Sequence, residues 1–250
     1  MKNYQNVAAV VLAAGKGTRI KNKKDGVNKV VLRLNGKPMI QYTVEKIEKL
    51  GLEQIILVVG YARQSIIKLF DNRVDYAIQE PQLGTGHAIE CALPKIKENI
   101  KYILVLNADD SAFYSISLLK DLIDKELKNE SAFSFLTLKK DDPTGLGRIK
   151  RDSKGFPKKI IEEKSATEEE KRIKEINLGA YCFSKKFLEE CLSKVELDPL
   201  KKEKYITSLV EIAYKNREKT SVICIKDESL WFGVNTDEQL EEANLRMQHN

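Results

Sequence analysis

Residues 7–19 are VAAVVLAAGKGTR, in which an apolar run of small and β-branched residues leads directly into a loop with two glycines. Such a run, bounded by glycine, is typical of a strand buried on both faces of a parallel sheet. The small residues of the loop let backbone N–H groups approach an anion, and Lys16 and Arg19 add positive charge. The segment therefore predicts a strand that ends in a phosphate-binding loop or in a plain turn.

The glycine spacing fits neither common phosphate-binding fingerprint. Gly15 and Gly17 lack the third glycine of the dinucleotide motif, and the G-x-x-x-x-G-K-[ST] pattern is not matched. A dinucleotide-dependent oxidoreductase is disfavoured for the same reason, and no acidic residue is suitably placed after a second strand. Taken alone, the loop leaves a phosphate site and a simple turn equally open.

Strand and helix patterns alternate through the first half of the chain. Runs of apolar residues predict strands at 7–12, 54–59, 74–78 and 102–106. Amphipathic periodicity predicts helices at 38–50, 63–70, 85–93 and 115–128, with Pro38 in the first turn and Gly51 as the stop. This alternation predicts an α/β fold with three layers and a parallel sheet.

The pattern changes after Ser131. We expect strands at 132–138, 175–183, 221–225 and 231–234, helices at 206–215 and from Thr236 onward, and a short exposed helix at 166–174. A polar hairpin at 145–164, with a turn at 152–155, predicts a small inserted β-lobe. The chain is interpreted as one domain, residues 1–250, with a nucleotide part to about 130, a second part at about 131–235 and a last helix at 236–250.

Composition limits the classes of function. The 43 basic and 37 acidic residues nearly balance, so nucleic-acid binding is not implied. Only two histidines and four scattered cysteines are present, so any metal should have oxygen ligands. The apolar run at 7–14 is too short to span a membrane and ends in a glycine loop, so we expect a cytoplasmic protein without a membrane partner.

Asp109 is the strongest single candidate for chemistry. It follows the predicted strand 102–106, at the edge where ligands bind in open α/β sheets, and a carboxylate there can hold Mg²⁺ between phosphates. Asp110 is a helper or merely a neighbour. Lys29 precedes an apolar run and can reach a bound anion as a point charge, although a surface lysine is the simpler interpretation.

Several segments together resemble the sugar-phosphate nucleotidyltransferases. They are residues 12–19, Lys29, 35–39, 82–88, 142–149 (DPTGLGRI), 175–179 (EINLG) and 233–235. The closest likeness is to the uridylyltransferase half of the bacterial bifunctional enzyme that makes UDP-N-acetylglucosamine. The resemblance implies a Rossmann-like fold with a mostly parallel mixed sheet, and dependence on Mg²⁺. Because no β-helix follows residue 250, acetyl transfer is not expected. The family's trimer depends on that β-helix, so the oligomeric state is left open, with a monomer as the default.

The resemblance also implies roles for individual residues. Arg19, Lys29 and Asp109 would be catalytic, with Asp109 and Asn235 as metal ligands. The nucleotide would contact Leu12, Ala13, Ala14, Gly15, Gly17, Thr18, Gln79, Gly84 and Thr85, and the sugar would contact Gly147, Glu162 and Asn177. Each has a simpler alternative: Thr85 and Asn235 suit helix caps, and Glu162 is one of many glutamates.

The implied reaction joins UTP to N-acetylglucosamine 1-phosphate and releases pyrophosphate. The alternatives are glucose 1-phosphate as the sugar, dTTP as the nucleotide, or a non-catalytic protein that binds sugar nucleotides. The chain departs from the family pattern at Asn28, where a proline usually precedes the lysine, and at Asn107-Ala108, where an aromatic-glycine pair is usual. Ser111-Ala112 likewise replaces proline-leucine, so the floor of the site is where specificity would differ.

Overall fold

The computed structural model describes residues 4–21, 24–199 and 201–248. The strands are β1 (Tyr4–Ala13), β2 (Arg33–Leu34), β3 (Lys37–Pro38), β4 (Leu52–Val59), β5 (Asp75–Ile78), β6 (Tyr102–Asn107), β7 (Phe133–Lys139), β8 (Arg148–Arg151), β9 (Pro157–Ile161), β10 (Glu175–Ser184) and β11 (Thr220–Ile225). The helices are α1 (Met39–Leu50), α2 (Arg63–Phe70), α3 (Gly84–Ala92), α4 (Ile116–Asn129), α5 (Lys185–Cys191), α6 (Ser208–Lys215) and α7 (Asp237–Gln248).

One mixed sheet organises the molecule, in the order β11-β7-β10-β6-β1-β4-β5. β1 pairs in parallel with both β4 and β6, whereas β10 runs antiparallel to its neighbours β6 and β7. The carboxyl ends of the parallel strands therefore meet at one edge of the sheet, which is the edge where ligands bind in folds of this class. The predicted α/β class and mostly parallel mixed sheet are confirmed.

Two apolar cores lie on opposite faces of this sheet. Along β1, Val7, Ala9 and Val11 face a core that also contains α1, α2 and α4. The alternate residues Ala8 and Val10 face a second core, built with α3, α5 and α6. Because side chains alternate along a strand, a strand covered on both faces must be apolar at every position. The two cores therefore account for the continuous apolar run at residues 7–13, and they confirm the three-layer prediction.

The predicted hairpin is formed by β8 and β9, and its turn closes with a hydrogen bond from the Gly155 N–H to the Asp152 carbonyl. β8 also pairs with β10 of the main sheet, where Arg148 lies opposite Ile176. The β-lobe is therefore an extension of the main sheet.

Three predicted elements differ from the structure. Residues 166–174 form only a single 3-10 turn at Glu170–Arg172 instead of a helix. Residues 231–234 are not a strand, because the Val234 N–H bonds to the Asp109 carbonyl at 2.9 Å rather than to a neighbouring strand. The helix predicted at 206–215 begins at Ser208, and the Ile206 N–H before it is bonded to the Thr85 hydroxyl.

Helix α1 also starts one residue later than predicted. Pro38 precedes its first turn and pairs within the two-stranded β2–β3 ladder. Gly51 ends the helix in a left-handed conformation with a φ of 68°, as its position predicted.

A buried acid in α4 gives the fold a specific pH dependence. Glu126 is fully buried, and its Oε2 accepts hydrogen bonds from the hydroxyls of Ser131 and Ser134 at 2.5 and 2.6 Å. Burial raises the pKa of the Glu126 carboxyl above its ordinary value. The folded protein therefore holds a proton that the unfolded chain releases above about pH 4.5.

We predict that the free energy of unfolding of the wild type falls, relative to that of Glu126→Gln, as the pH rises from about 4.5 to 8. The amide does not titrate, so only the wild type must ionise a buried group. Urea denaturation of both proteins across this range measures the difference. A difference that stays constant with pH would contradict the assignment.

Candidate active site

A cavity of about 670 Å³ opens at the carboxyl ends of β1, β5 and β6. The loop after β1 forms one wall, and the start of α3 forms another. The residues predicted to bind nucleotide, phosphates or metal all line it: Leu12, Ala13, Ala14, Gly15, Gly17, Thr18, Arg19, Lys29, Gln79, Gly84, Thr85, Asp109 and Asn235. The structure thus collects side chains that lie more than 200 residues apart in sequence around one space.

Gly17 lets the loop close over the stem of Lys29. Its φ is 58°, and a β-carbon at this position would lie 2.8 Å from the Lys29 Cβ. A side chain here would meet both backbone strain and a steric clash. The glycine therefore serves the packing of the lysine, which the sequence motif alone does not show.

The Lys29 ammonium lies between two oxygens from distant segments. Its Nζ donates to Asp109 Oδ2 at 2.5 Å and to Asn235 Oδ1 at 3.0 Å. Arg19 Nη2 donates to the same Asn235 oxygen at 2.7 Å. Two cationic side chains and two acceptor oxygens therefore form one compact polar centre at the end of β6.

Backbone hydrogen bonds place Asp109 and Asn235, which carry the two acceptor oxygens. The Ala108 N–H bonds to the Leu12 carbonyl, so the segment after β6 stays beside the end of β1. The Val234 N–H bonds to the Asp109 carbonyl, which brings Asn235 next to Asp109.

The alternative of Asn235 as a helix cap is wrong. The Thr236 hydroxyl accepts the hydrogen bond from the Gln239 N–H at the start of α7, and Gln239 Oε1 accepts one from the Asn235 N–H. The Asn235 side-chain oxygen is directed instead to Arg19 and Lys29.

The donor set fits a divalent cation such as Mg²⁺. A carboxylate oxygen and an amide oxygen both lie within 3.0 Å of one cationic atom, and hard cations prefer such oxygen ligands. Asp110 is arranged differently, because its Oδ2 accepts from Asn107 Nδ2 at 3.4 Å and its Oδ1 is buried without a hydrogen bond from any described residue. Burial and the adjacent Asp109 charge raise the pKa of Asp110 well above its usual range.

The wall formed by α3 is built by close backbone packing. A β-carbon on Gly84 would lie 2.5 Å from the Lys204 carbonyl, and the Gly86 N–H donates to that carbonyl. The close approach at these glycines is therefore made by the protein's own chain. Gln79 Nε2 donates to the Gly84 carbonyl at 2.8 Å and holds the strand end against the helix start.

Thr85 does not cap α3, contrary to one interpretation of the sequence. The helix starts at Gly84 with Leu83 before it, and the Thr85 hydroxyl accepts from the Ile206 N–H at 2.9 Å. This bond ties the segment before α6 to the cavity, where Glu203 and Tyr205 add to the lining. No pattern in the sequence indicated these two residues, because their segment reaches α3 through tertiary contacts with a distant part of the chain.

A second cavity of about 540 Å³ adjoins the first and contains Gly147, Glu162 and Asn177. A β-carbon on Gly147 would lie 3.1 Å from Ile160 and 3.8 Å from Asn177, so the three predicted residues are close neighbours. Glu162 Oε1 accepts from the Thr207 hydroxyl at 3.1 Å, and burial raises the pKa of Glu162.

Both cavities are lined by Asn107, Asp109 and Asn235. Groups bound in the two spaces would therefore meet at the polar centre. Sequence reasoning identified Asn107 only as a departure from a pattern, whereas the structure places it at this junction.

Comparison with known proteins agrees with this architecture. Residues 8–250 match the profile of the nucleotidyl transferase family. The chain belongs to that family. Bifunctional GlmU proteins are similar to it, with 38% identity over 96% of this chain in Geobacillus sp. WCH70 and 35% identity over 97% in Enterococcus faecalis. The chain spans about half the length of these relatives, 51% and 52%.

A solved structure shows the same fold at low sequence identity. It is described as a glucose-1-phosphate thymidylyltransferase from Bacillus anthracis, with a TM-score of 0.78 and 19% identity, covering 96% of this chain and 94% of its own. Among the residues described here, no helix is long and apolar enough to cross a lipid bilayer.

The tight packing of Gly17 in this nucleotidyl transferase can be tested with a matched glycine. Gly155 has a φ of 85° but no atom within 4 Å of an added β-carbon. We predict that Gly155→Ala loses about 1 kcal/mol of stability from left-handed backbone strain. Gly17→Ala should lose more, because its methyl group also clashes with the Lys29 side chain. Only Gly17→Ala should weaken nucleotide binding, because only there does the new methyl displace Lys29. Calorimetric titration with UTP measures this, and equal affinities for the two variants would contradict it.

Proposed function

We propose that this nucleotidyl transferase joins UTP to N-acetylglucosamine 1-phosphate, giving UDP-N-acetylglucosamine and pyrophosphate. The observation that carries the proposal is the polar centre of Arg19, Lys29, Asp109 and Asn235 at the junction of two cavities. One cavity suits the triphosphate and base, and the other suits a sugar phosphate. The similarity to GlmU proteins at 35–38% identity supports the choice of substrates.

The reaction needs no protein nucleophile. An oxygen of the sugar 1-phosphate attacks the α-phosphorus of UTP in line, the new P–O bond forms, and the bond to the departing pyrophosphate breaks. Positioning and charge neutralisation supply the catalysis in such a displacement. Mg²⁺, held by Asp109 and Asn235, would neutralise phosphate charge and orient the reacting oxygens.

The chain's own residues would divide these tasks. Arg19 and Lys29 neutralise the triphosphate, and the backbone of the loop from Leu12 to Thr18 supplies aligned donors. Gln79, Gly84 and Thr85 form the wall next to the base. Gly147, Glu162 and Asn177 hold the sugar, with Glu162 oriented by Thr207. Asp109 lines both cavities and would therefore contact both substrates.

A second candidate is the same reaction with glucose 1-phosphate, or with dTTP in place of UTP. The structural neighbour described as a thymidylyltransferase shares the fold, and Asn107 adds an amide at the junction of the cavities. A panel of sugar 1-phosphates with UTP or dTTP, read by coupled pyrophosphate release, separates the pairs. Binding of UDP-sugars without pyrophosphate release would instead support the non-catalytic alternative.

We predict that Asp109→Asn lowers turnover at least about 100-fold, because a neutral amide holds a divalent cation at the reacting phosphates more weakly than a carboxylate does. Asp121→Asn on the exposed face of α4 is the matched control and should keep wild-type turnover. Steady-state pyrophosphate release measures both. Wild-type turnover by Asp109→Asn would remove Asp109 from the metal site.

Lys29 should also compete with the metal, since its ammonium contacts both proposed ligand oxygens. We predict that Lys29→Met binds Mn²⁺ about tenfold more tightly than the wild type in the absence of nucleotide, and binds UTP more weakly. Calorimetric titration with Mn²⁺ alone tests this without any assay of activity. Equal or weaker Mn²⁺ binding by Lys29→Met would show that the metal does not use these oxygens.

A further inference from the structure

Asn28 lies wholly buried beneath the loop that follows β1. Its Nδ2 group is surrounded by three backbone carbonyls: those of Tyr61 at 2.9 Å, Ala13 at 3.0 Å and Gly15 at 3.3 Å. One amide group thus connects both ends of the first turn of the loop to the segment after β4. A buried side chain with this many partners constrains all the segments that it joins.

These contacts determine the direction in which the loop amides point. In a trans peptide the carbonyl and the following N–H point in opposite directions. Because the carbonyls of Ala13 and Gly15 are turned toward Asn28, the N–H groups of Ala14 and Lys16 are turned the other way. Ala14 and Lys16 both line the first cavity, so the orientation suits donors to an anion there.

The same residue also places Lys29. Asn28 Oδ1 accepts from the Val30 N–H at 3.1 Å and caps the 3-10 turn Lys29–Val31. The Asn28 N–H donates to the Ser65 hydroxyl at 3.2 Å, and that hydroxyl donates to the Ala62 carbonyl. The backbone from which the Lys29 side chain extends is therefore fixed to the protein from both sides.

We propose that Asn28 is a positioning residue for the bound phosphates, which orients the loop amides and the Lys29 ammonium through one buried side chain. The identity of the phosphate ligand, a nucleoside triphosphate, rests on the proposed function. The positioning itself rests on the five hydrogen bonds made by the Asn28 side chain and N–H.

A proline at this position could not make these contacts. The Asn28 φ of −74° is within the range of proline, so the backbone conformation is the same as that a proline would favour. Proline would, however, lose the N–H bonded to Ser65 and every side-chain bond to the loop. The chain therefore holds its loop by side-chain hydrogen bonds that the proline of the family pattern cannot form.

The test compares Asn28→Asp with the wild type. The carboxylate keeps the acceptor for Val30 but cannot donate to the three carbonyls, and it repels them. Asn99→Asp is the matched control, because the exposed Asn99 amide donates to the Gln5 carbonyl far from the cavity. Asn28→Ala is the second variant, which removes the same bonds without adding charge.

Calorimetric titration with magnesium pyrophosphate gives the first readout, and amide hydrogen exchange of residues 12–19 gives the second. For both Asn28 variants we expect about 10- to 100-fold weaker pyrophosphate binding and faster exchange in the loop. In turnover, KM for UTP should rise by more than kcat falls. Asn99→Asp should match the wild type in every measurement.

Unchanged pyrophosphate affinity in a folded Asn28 variant would overturn the inference, as would unchanged loop exchange. A wild type that binds pyrophosphate but turns over no substrate pair would overturn the proposed function alone, since the Asn28 comparison would remain valid. A wild type that does not bind pyrophosphate would overturn both.

Discussion

The contact of the Lys29 ammonium with one oxygen of Asp109 and one of Asn235 depends on how three distant segments are arranged. Lys29 can contact Asp109 and Asn235 together only if the ends of β6 and of the segment before α7 meet beside the loop after β1. The parallel pairing of β1 and β6 supplies the first approach, and the bond from Val234 to Asp109 supplies the second. An isolated charge is costly to bury, so the centre persists because each charged group has a partner.

The elements that the sequence predicted well are those whose signal is local. The continuous apolar run of β1 indicated a strand covered on both faces, and the glycine after α1 marked the end of that helix. The residues around the cavity were identified by resemblance, because nothing in the sequence near Asn235 shows that it lies beside Asp109. Asn28 was noticed only as a departure, and its buried contacts became visible only in three dimensions.

Two of the wrong predictions involve groups that are bonded to distant segments. Residues 231–234 have the apolar character of a strand, yet Val234 bonds to the loop after β6. Thr85 looks like a helix cap, yet its hydroxyl holds Ile206 more than 100 residues away. In both cases a tertiary hydrogen bond competes with a local pattern, and propensity cannot anticipate the partner. These competing bonds all lie at or next to the cavities.

The position of β10 in the sheet has a consequence for how the chain can fold. Although β10 is formed by residues 175–184, it lies between β6 and β7 and pairs with both. A chain that has folded only as far as α4 would leave β6 as an unpaired edge, with apolar residues on both faces. β6 gains its second neighbour only when a segment about 70 residues further along the chain pairs with it. Late, non-local strand pairing is therefore part of folding. During synthesis, this open edge is where the unfinished molecule is most exposed to wrong pairing with other chains.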